Sequence, residues 1–186
     1  MNRCTSCGHP IPRIVPCVGR TPDCSSRRII LGIDPGLAIV GYAVLEEQED
    51  MLTALACDVI RTEAYLALPR RLQVIYERLG LLLATYHPQE VGIESLFFAK
   101  NKKTAMAVAQ ARGVLLLALS QAGLDIAEYT PAEVKQAVTG YGNAKKAQVG
   151  EMVRILLHLK AVPRPDDAAD AAAVAICHAH TIQNCK

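Results

Sequence analysis

The sequence predicts an α/β fold, a five-stranded mixed sheet flanked by helices. Three observations lead there. The apolar run Ile29-Ile30-Leu31-Gly32-Ile33 ends on Asp34 and the turn signal Pro35-Gly36, as a buried strand does. Two more strand-like stretches follow at hairpin distance. After them, strand and helix patterns alternate, which is how parallel strands are joined.

Residues 29–34 form the first strand, 41–46 the second and 56–61 the third, with a charged tip at 46–50. Pro69 opens a helix in which Leu72, Ile75, Leu79, Leu82 and Leu83 recur at helical spacing until His87-Pro88 breaks it. Val91-Gly92-Ile93-Glu94 is a short strand ending in a carboxylate. A loop over 95–101 leads to an Ala-rich helix at 104–121, which stops at Gly123. The fifth strand, 125–129, runs into Thr130-Pro131, a helix start with proline at its first position and Glu133 placed for a capping box. Two further helices are expected at 145–159 and 166–181, leaving a short tail at 182–186.

A chain of 186 residues supports one domain with a substantial core. Its hydrophobic share of 51% and interspersed charges exclude a disordered protein. No apolar run reaches the ~20 residues that span a bilayer. Prolines and cysteines interrupt the N-terminus where a secretory signal would be apolar, so a cytoplasmic protein is expected. Seven cysteines, an odd number, argue against a disulfide framework. Cys57 and Cys177 lie in apolar stretches as small buried side chains.

Residues 1–27 differ from the rest and read as a separate N-terminal extension without hydrophobic period. The Cys4-Thr5-Ser6-Cys7 knuckle offers two thiolates to a zinc ion, with Cys17, Cys24 or His9 completing the set. The wider spacing of Cys17 and Cys24 departs from a good zinc ribbon, and an unstructured tail is the alternative.

The net charge of +2 hides an asymmetry. Residues 28–99 carry 5 Lys/Arg against 10 Asp/Glu, and residues 100–186 carry 11 against 7. That separation suits a protein that grips a polyanion beside an acidic pocket, and suits an ordinary solvated surface equally well.

The chemistry is expected from four carboxylates. Asp34 and Glu94 each end a strand, and Asp167 and Asp170 stand three apart at the start of a helix, on one face. Gly32 and Gly36 beside Asp34 leave room for close approach. Any one of these acids is explained by a turn or by the helix dipole. Converging, they would repel strongly unless a cation neutralised them. All-oxygen ligands favour Mg²⁺ or Mn²⁺, and two such ions can drive an in-line phosphodiester displacement.

The motifs Ile30-Leu31-Gly32-Ile33-Asp34-Pro35-Gly36, Gly41-Tyr42, Ile93-Glu94, Ala99-Lys100-Asn101, Gln110-Ala111-Arg112-Gly113 and Asp167-Ala168-Ala169-Asp170-Ala171 resemble the RuvC family of Holliday-junction resolvases. The resemblance covers residues 28–181 and leaves out 1–27. It implies a ribonuclease H-like fold, a homodimer, and Mg²⁺-dependent nicking of two strands of a four-way junction. It also implies work alongside junction-binding and branch-migration proteins. By motif, Asp34, Glu94, Asp167 and Asp170 are the catalytic acids. The place of Asp167 is His in some members. The neighbouring Asp166 reads as a helix cap or an aid to metal binding.

The same resemblance points to Phe97 as a base-stacking residue and to Lys135 and Lys146 as lysines near the cleavage site. Lys100 lies among the basic residues beside Phe97 and Phe98. Arg112, inside an apolar helix, is read as contacting DNA or capping a partner subunit. Ala105, Ala109 and Gly113 permit close helix approach, to a second copy or to the sheet. Two rival readings stand beside the nuclease. The Gly-Ile-Asp-Pro-Gly turn also resembles the phosphate loop of actin-like and sugar-kinase folds, which need two such domains. A non-catalytic junction-binding or zinc-dependent DNA-binding protein is the other.

Overall fold

The computed structural model describes residues 27–95 and 102–183. The candidate zinc ligands Cys4, Cys7, Cys17 and Cys24 lie outside the described residues, as do Phe97, Phe98, Lys100 and the end of the C-terminal tail. The elements in chain order are β1 (Arg28–Asp34), β2 (Ile39–Gln48), β3 (Met51–Arg61), α1 (Leu68–Tyr86), β4 (Glu90–Glu94), α2 (Lys102–Gln121), β5 (Ile126–Tyr129), α3 (Pro131–Thr139), α4 (Lys146–Leu156) and α5 (Asp166–Gln183). The five strands make one sheet in the order β3-β2-β1-β4-β5. β1, β2 and β3 pair antiparallel, while β4 lies parallel to β1 and β5 parallel to β4.

Helices cover both faces, and two clusters of buried side chains follow. On one face Ile75 and Leu79 of α1 and Leu115 and Leu119 of α2 meet Leu31, Ile33, Val44 and Ile93. On the other, α3, α4 and α5 pack against Ile30, Ala43 and Leu45. α5 is the innermost helix. Its run of alanines from Ala168 to Ala179 is buried, and that small-residue surface lets it press close to β1, β2 and β4.

Every strand except β5, which starts at Ile126 rather than at residue 125, runs longer than the sequence pattern predicts. β3 begins at Met51 rather than at residue 56, because the pairing shifts between Val44↔Ala56 and Leu45↔Ala54. That bulge leaves Leu55 half-exposed and interrupts the alternation that marks a strand. The helix expected over 145–159 ends at Leu156, where the chain turns through a left-handed His158. α3 has the predicted cap: Glu133 N–H donates to the Thr130 hydroxyl at 3.3 Å, and Thr130 N–H donates to the Glu133 carboxylate at 2.7 Å.

Candidate active site

β1 and β4 are parallel neighbours, with Ile33 opposite Ile93, so their last residues, Asp34 and Glu94, come out side by side. α5 crosses the same end of the sheet. Two glycines decide how close it comes. A Cβ on Gly32 would lie 2.6 Å from the Ala175 nitrogen and also meet the Ala171 carbonyl. A Cβ on Gly41, the β2 residue opposite Asp34, would run into the Asp167 carbonyl. With hydrogen in both places, the helix backbone rests directly on the sheet, and its first turns bring Asp167 and Asp170 to Asp34.

The electrostatics record that convergence. Burial, then the charges of Glu94, Asp170 and Asp167, push Asp34 up to about 8, and a hydrogen bond shared with Glu94 adds to the rise. Burial and the Asp170 charge raise Glu94 as well, against a downward pull from Asp34, Lys135 and Lys146. Asp34 therefore keeps its proton near neutral pH, the expected response of an acid crowded by others in a desolvated place.

Two lysines face them. Glu94, Asp170, Lys135 of α3 and Lys146 of α4 line one cleft of about 210 Å³, with Val134 and Val149 as apolar walls. Lys146 Nζ donates to Asp170 Oδ2 at 2.7 Å and lies 3.8 Å from Asp166 Oδ2. Burial pulls Lys146 down, but Asp170, Asp166 and Asp167 together leave it raised.

The donor set consists of carboxylate oxygens alone, which fits a hard divalent cation. Among the described residues, no three His, Cys, Asp or Glu side chains already stand as a closed metal cage. Instead, the proton on Asp34 and the Lys146 ammonium on Asp170 offset only part of the cluster's negative charge. Both are displaceable by a cation.

The fold thus brings together Asp34, Glu94, Asp167, Asp170, Lys135 and Lys146. It takes Arg112 elsewhere: the guanidinium is mostly buried, with Nη2 2.6 Å from Glu128 Oε2 on β5. The contact is off line for a good hydrogen bond. A larger groove of about 610 Å³ between β3 and α1, lined by Tyr42, Asp58, Arg78 and Tyr86 among others, contains none of the four acids. Sequence reasoning missed the role of Gly41 and the contact of Asp166 with Lys146. The Gly41-Tyr42 pair was visible as a motif, but its contact with the helix backbone was not.

A mixed sheet in this order, with acids at the ends of adjacent parallel strands and on the helix crossing them, defines a ribonuclease H-like protein. Comparison with known proteins narrows the class. Residues 30–178 match the family model described as crossover junction endodeoxyribonuclease RuvC, and the chain belongs to that family. It is 54% identical over 154 residues to the crossover junction endodeoxyribonuclease RuvC of Heliobacterium modesticaldum, covering 83% of this chain and 95% of that one. A Moorella thermoacetica relative of the same name is 56% identical over 151 residues, 81% of this chain and 90% of its own. Among solved structures, Thermus thermophilus RuvC matches with a TM-score of 0.77 at 34% identity, over 84% of this chain and 96% of that one. The same protein in complex with Holliday junction substrate matches with a TM-score of 0.77 at 32% identity and the same coverage. Members of this family are metal-dependent nucleases.

Proposed function

We infer that this protein is a metal-dependent endodeoxyribonuclease that resolves four-way DNA junctions by nicking two strands at symmetric positions, in recombination and repair. The observation that carries the reading is the convergence of Asp34, Glu94, Asp167 and Asp170, from three separate elements, on one end of the sheet. Family membership supplies the substrate, since a relative of the same fold is known in complex with a Holliday junction.

The four acids would hold Mg²⁺, with Mn²⁺ as a substitute, and two ions per site suit the number of carboxylates. Such ions supply an activated water and stabilise the leaving oxygen of an in-line phosphodiester displacement. The chain's own residues do the rest. Lys135 and Lys146 line the cleft beside Glu94 and Asp170, where an ammonium offsets charge on a scissile phosphate. In this reading Phe97 stacks on an unpaired base at the junction and Lys100 meets the backbone beside it. Phe97→Ala should then weaken junction cleavage more than duplex binding, and an equal loss of both would remove the stacking role. A DNA contact by Arg112 would require its pair with Glu128 to open.

A homodimer built on α2 belongs to the same proposal. Met106, Gln110, Gly113 and Leu117 form an exposed stripe along that helix. A Cβ on Gly113 would meet nothing within 4 Å, so nothing described within this chain requires a glycine there. A mid-helix glycine costs about 0.5–1 kcal/mol relative to alanine, and close approach of a second copy gives it a purpose. Junction-binding and branch-migration proteins are the expected partners, and the cytoplasm the expected compartment.

The test is incubation with a labelled synthetic four-way junction, a matched linear duplex and a flap, with Mg²⁺ and with chelator. Paired symmetric nicks confined to the junction and abolished by chelation are expected. Binding without cutting in any divalent metal would leave a junction-recognition protein instead.

A further inference from the structure

The first turn of α5 holds an acid beyond the four. Asp166 faces two cations, Lys146 Nζ at 3.8 Å and Arg164 Nη1 at 3.5 Å. Lys146 is meanwhile hydrogen-bonded to Asp170 at 2.7 Å. One ammonium is thus shared between carboxylates four residues apart on one helix face. One of them belongs to the metal-binding set and the other does not.

The position of Lys146 makes this sharing consequential. It is the first residue of α4, an end where the helix dipole disfavours a cation. Gln148 Oε1 accepts from Lys145 N–H at 2.9 Å and fixes that helix start. The acids of α5, not its own helix, therefore hold the ammonium in place. On Asp170, the ammonium fills an acceptor site and cancels the charge of a carboxylate that a divalent cation needs. To meet a phosphate in the same cleft, it has to leave Asp170.

We propose that Asp166 is a positioning residue that takes Lys146 over from Asp170 when Asp170 binds a divalent cation, so that cation and ammonium occupy the cleft together. The movement is short, since about 1 Å brings Nζ within hydrogen-bonding distance of Asp166. Arg164 Nη1 lies 3.5 Å from the other carboxylate oxygen of Asp166. This role rests on the nuclease reading of the site.

Metal affinity tests it without DNA. Mn²⁺ binding to the full chain is measured by calorimetry or electron paramagnetic resonance at physiological salt, with circular dichroism to verify folding. Lys146→Met removes the competitor and should tighten Mn²⁺ binding about two- to fivefold, the scale of one exposed ion pair. Asp166→Asn leaves the lysine on Asp170 and should weaken binding by a similar factor, and Asp166→Glu should restore it. In the Lys146→Met background, Asp166→Asn should cost clearly less than in the wild type. An equal loss in both backgrounds would make Asp166 a ligand or a mere charge, and overturn the proposal. Weaker binding by Lys146→Met, or no Mn²⁺ binding by the wild type, would also overturn it. If the cycle holds but no junction is cut, the nuclease reading fails alone; if junctions are cut but the cycle is flat, only the handover fails.

Discussion

β1, β4 and α5 each carry polar residues at both ends of the sheet, and the two ends are built in opposite ways. At the start of the strands, Arg28 donates to Glu90 at 3.0 and 3.1 Å and also pairs with Glu47. Glu90 faces His178 Nε2 at 3.4 Å, and Tyr129 Oη lies 2.8 Å from His178 Nδ1. There the nearby His178 imidazole, aided by Arg28 and opposed by burial, lowers Glu90 from its ordinary value. At the far ends of the same strands, burial and neighbouring acids raise Asp34 to about 8 and raise Glu94. Two glutamates four residues apart on β4 therefore shift in opposite directions. The first end has a mostly buried cation of its own, Arg28, on both Glu90 and Glu47. The second has more acids than cations to meet them, and this lack of compensation is what an incoming cation would relieve.

The largest expected effect is on the uncompensated end. Asp34→Asn should lower junction cleavage at least about a hundredfold, the scale of losing one preorganised catalytic group. Junction binding should stay within a few fold, because the basic grip is untouched. Gel-based cleavage and binding assays on one preparation check both. Wild-type cleavage by the variant would erase the distinction between the two ends.

The compensated end should respond in stability instead. Arg28→Met strips Glu90 and the buried Glu47 of their shared cation and should cost about 2–4 kcal/mol in urea unfolding. Cleavage per folded molecule should hardly change. The contribution of Glu90 has a definite sign with pH. Its folded pKa lies below the ordinary 4.5, so its stabilisation is present above that value and is lost as pH falls through the folded pKa.

Gly41→Ala sharpens the comparison from the middle, since the added methyl runs into the Asp167 carbonyl. Overpacking of this kind costs about 1–3 kcal/mol. Lifting α5 should also reduce cleavage by the molecules that remain folded. A loss of stability with cleavage per folded molecule intact would mean that the glycine contact does not position the acids.

Much of this was legible in the sequence. The strand ending in Gly-Ile-Asp-Pro-Gly, the short strand ending in Glu94 and the acidic start of the last helix each have a local signature that packing does not override. The bulge at Leu55 was not legible, because one inserted residue reverses the alternation on which strand recognition rests. Nor could the sequence say that Gly41 touches Asp167 rather than solvent, since the contact joins β2 to α5 across most of the chain. The pair of Lys146 with Asp166 and the burial of Arg112 on Glu128 are likewise tertiary facts. In both, a charge that reads as available to DNA from its own helix is engaged by another element.

The smallest effect is the most direct test of the central claim, that the far end of the sheet is short of positive charge until a cation arrives. Wild type and Asp34→Asn are unfolded in urea at pH 8 and pH 4, in chelator and in Mg²⁺. Because the folded pKa of Asp34 is raised from 3.8 to about 8, its contribution to stability is fully present below 3.8 and is lost as pH rises toward 8. In chelator at pH 8, Asp34→Asn should therefore be more stable than the wild type, by an amount on the order of 1–3 kcal/mol. The gap should close by pH 4, and Mg²⁺ should stabilise the wild type more than the variant. A variant no more stable than the wild type in chelator at pH 8, with Mg²⁺ affecting neither, would contradict the account.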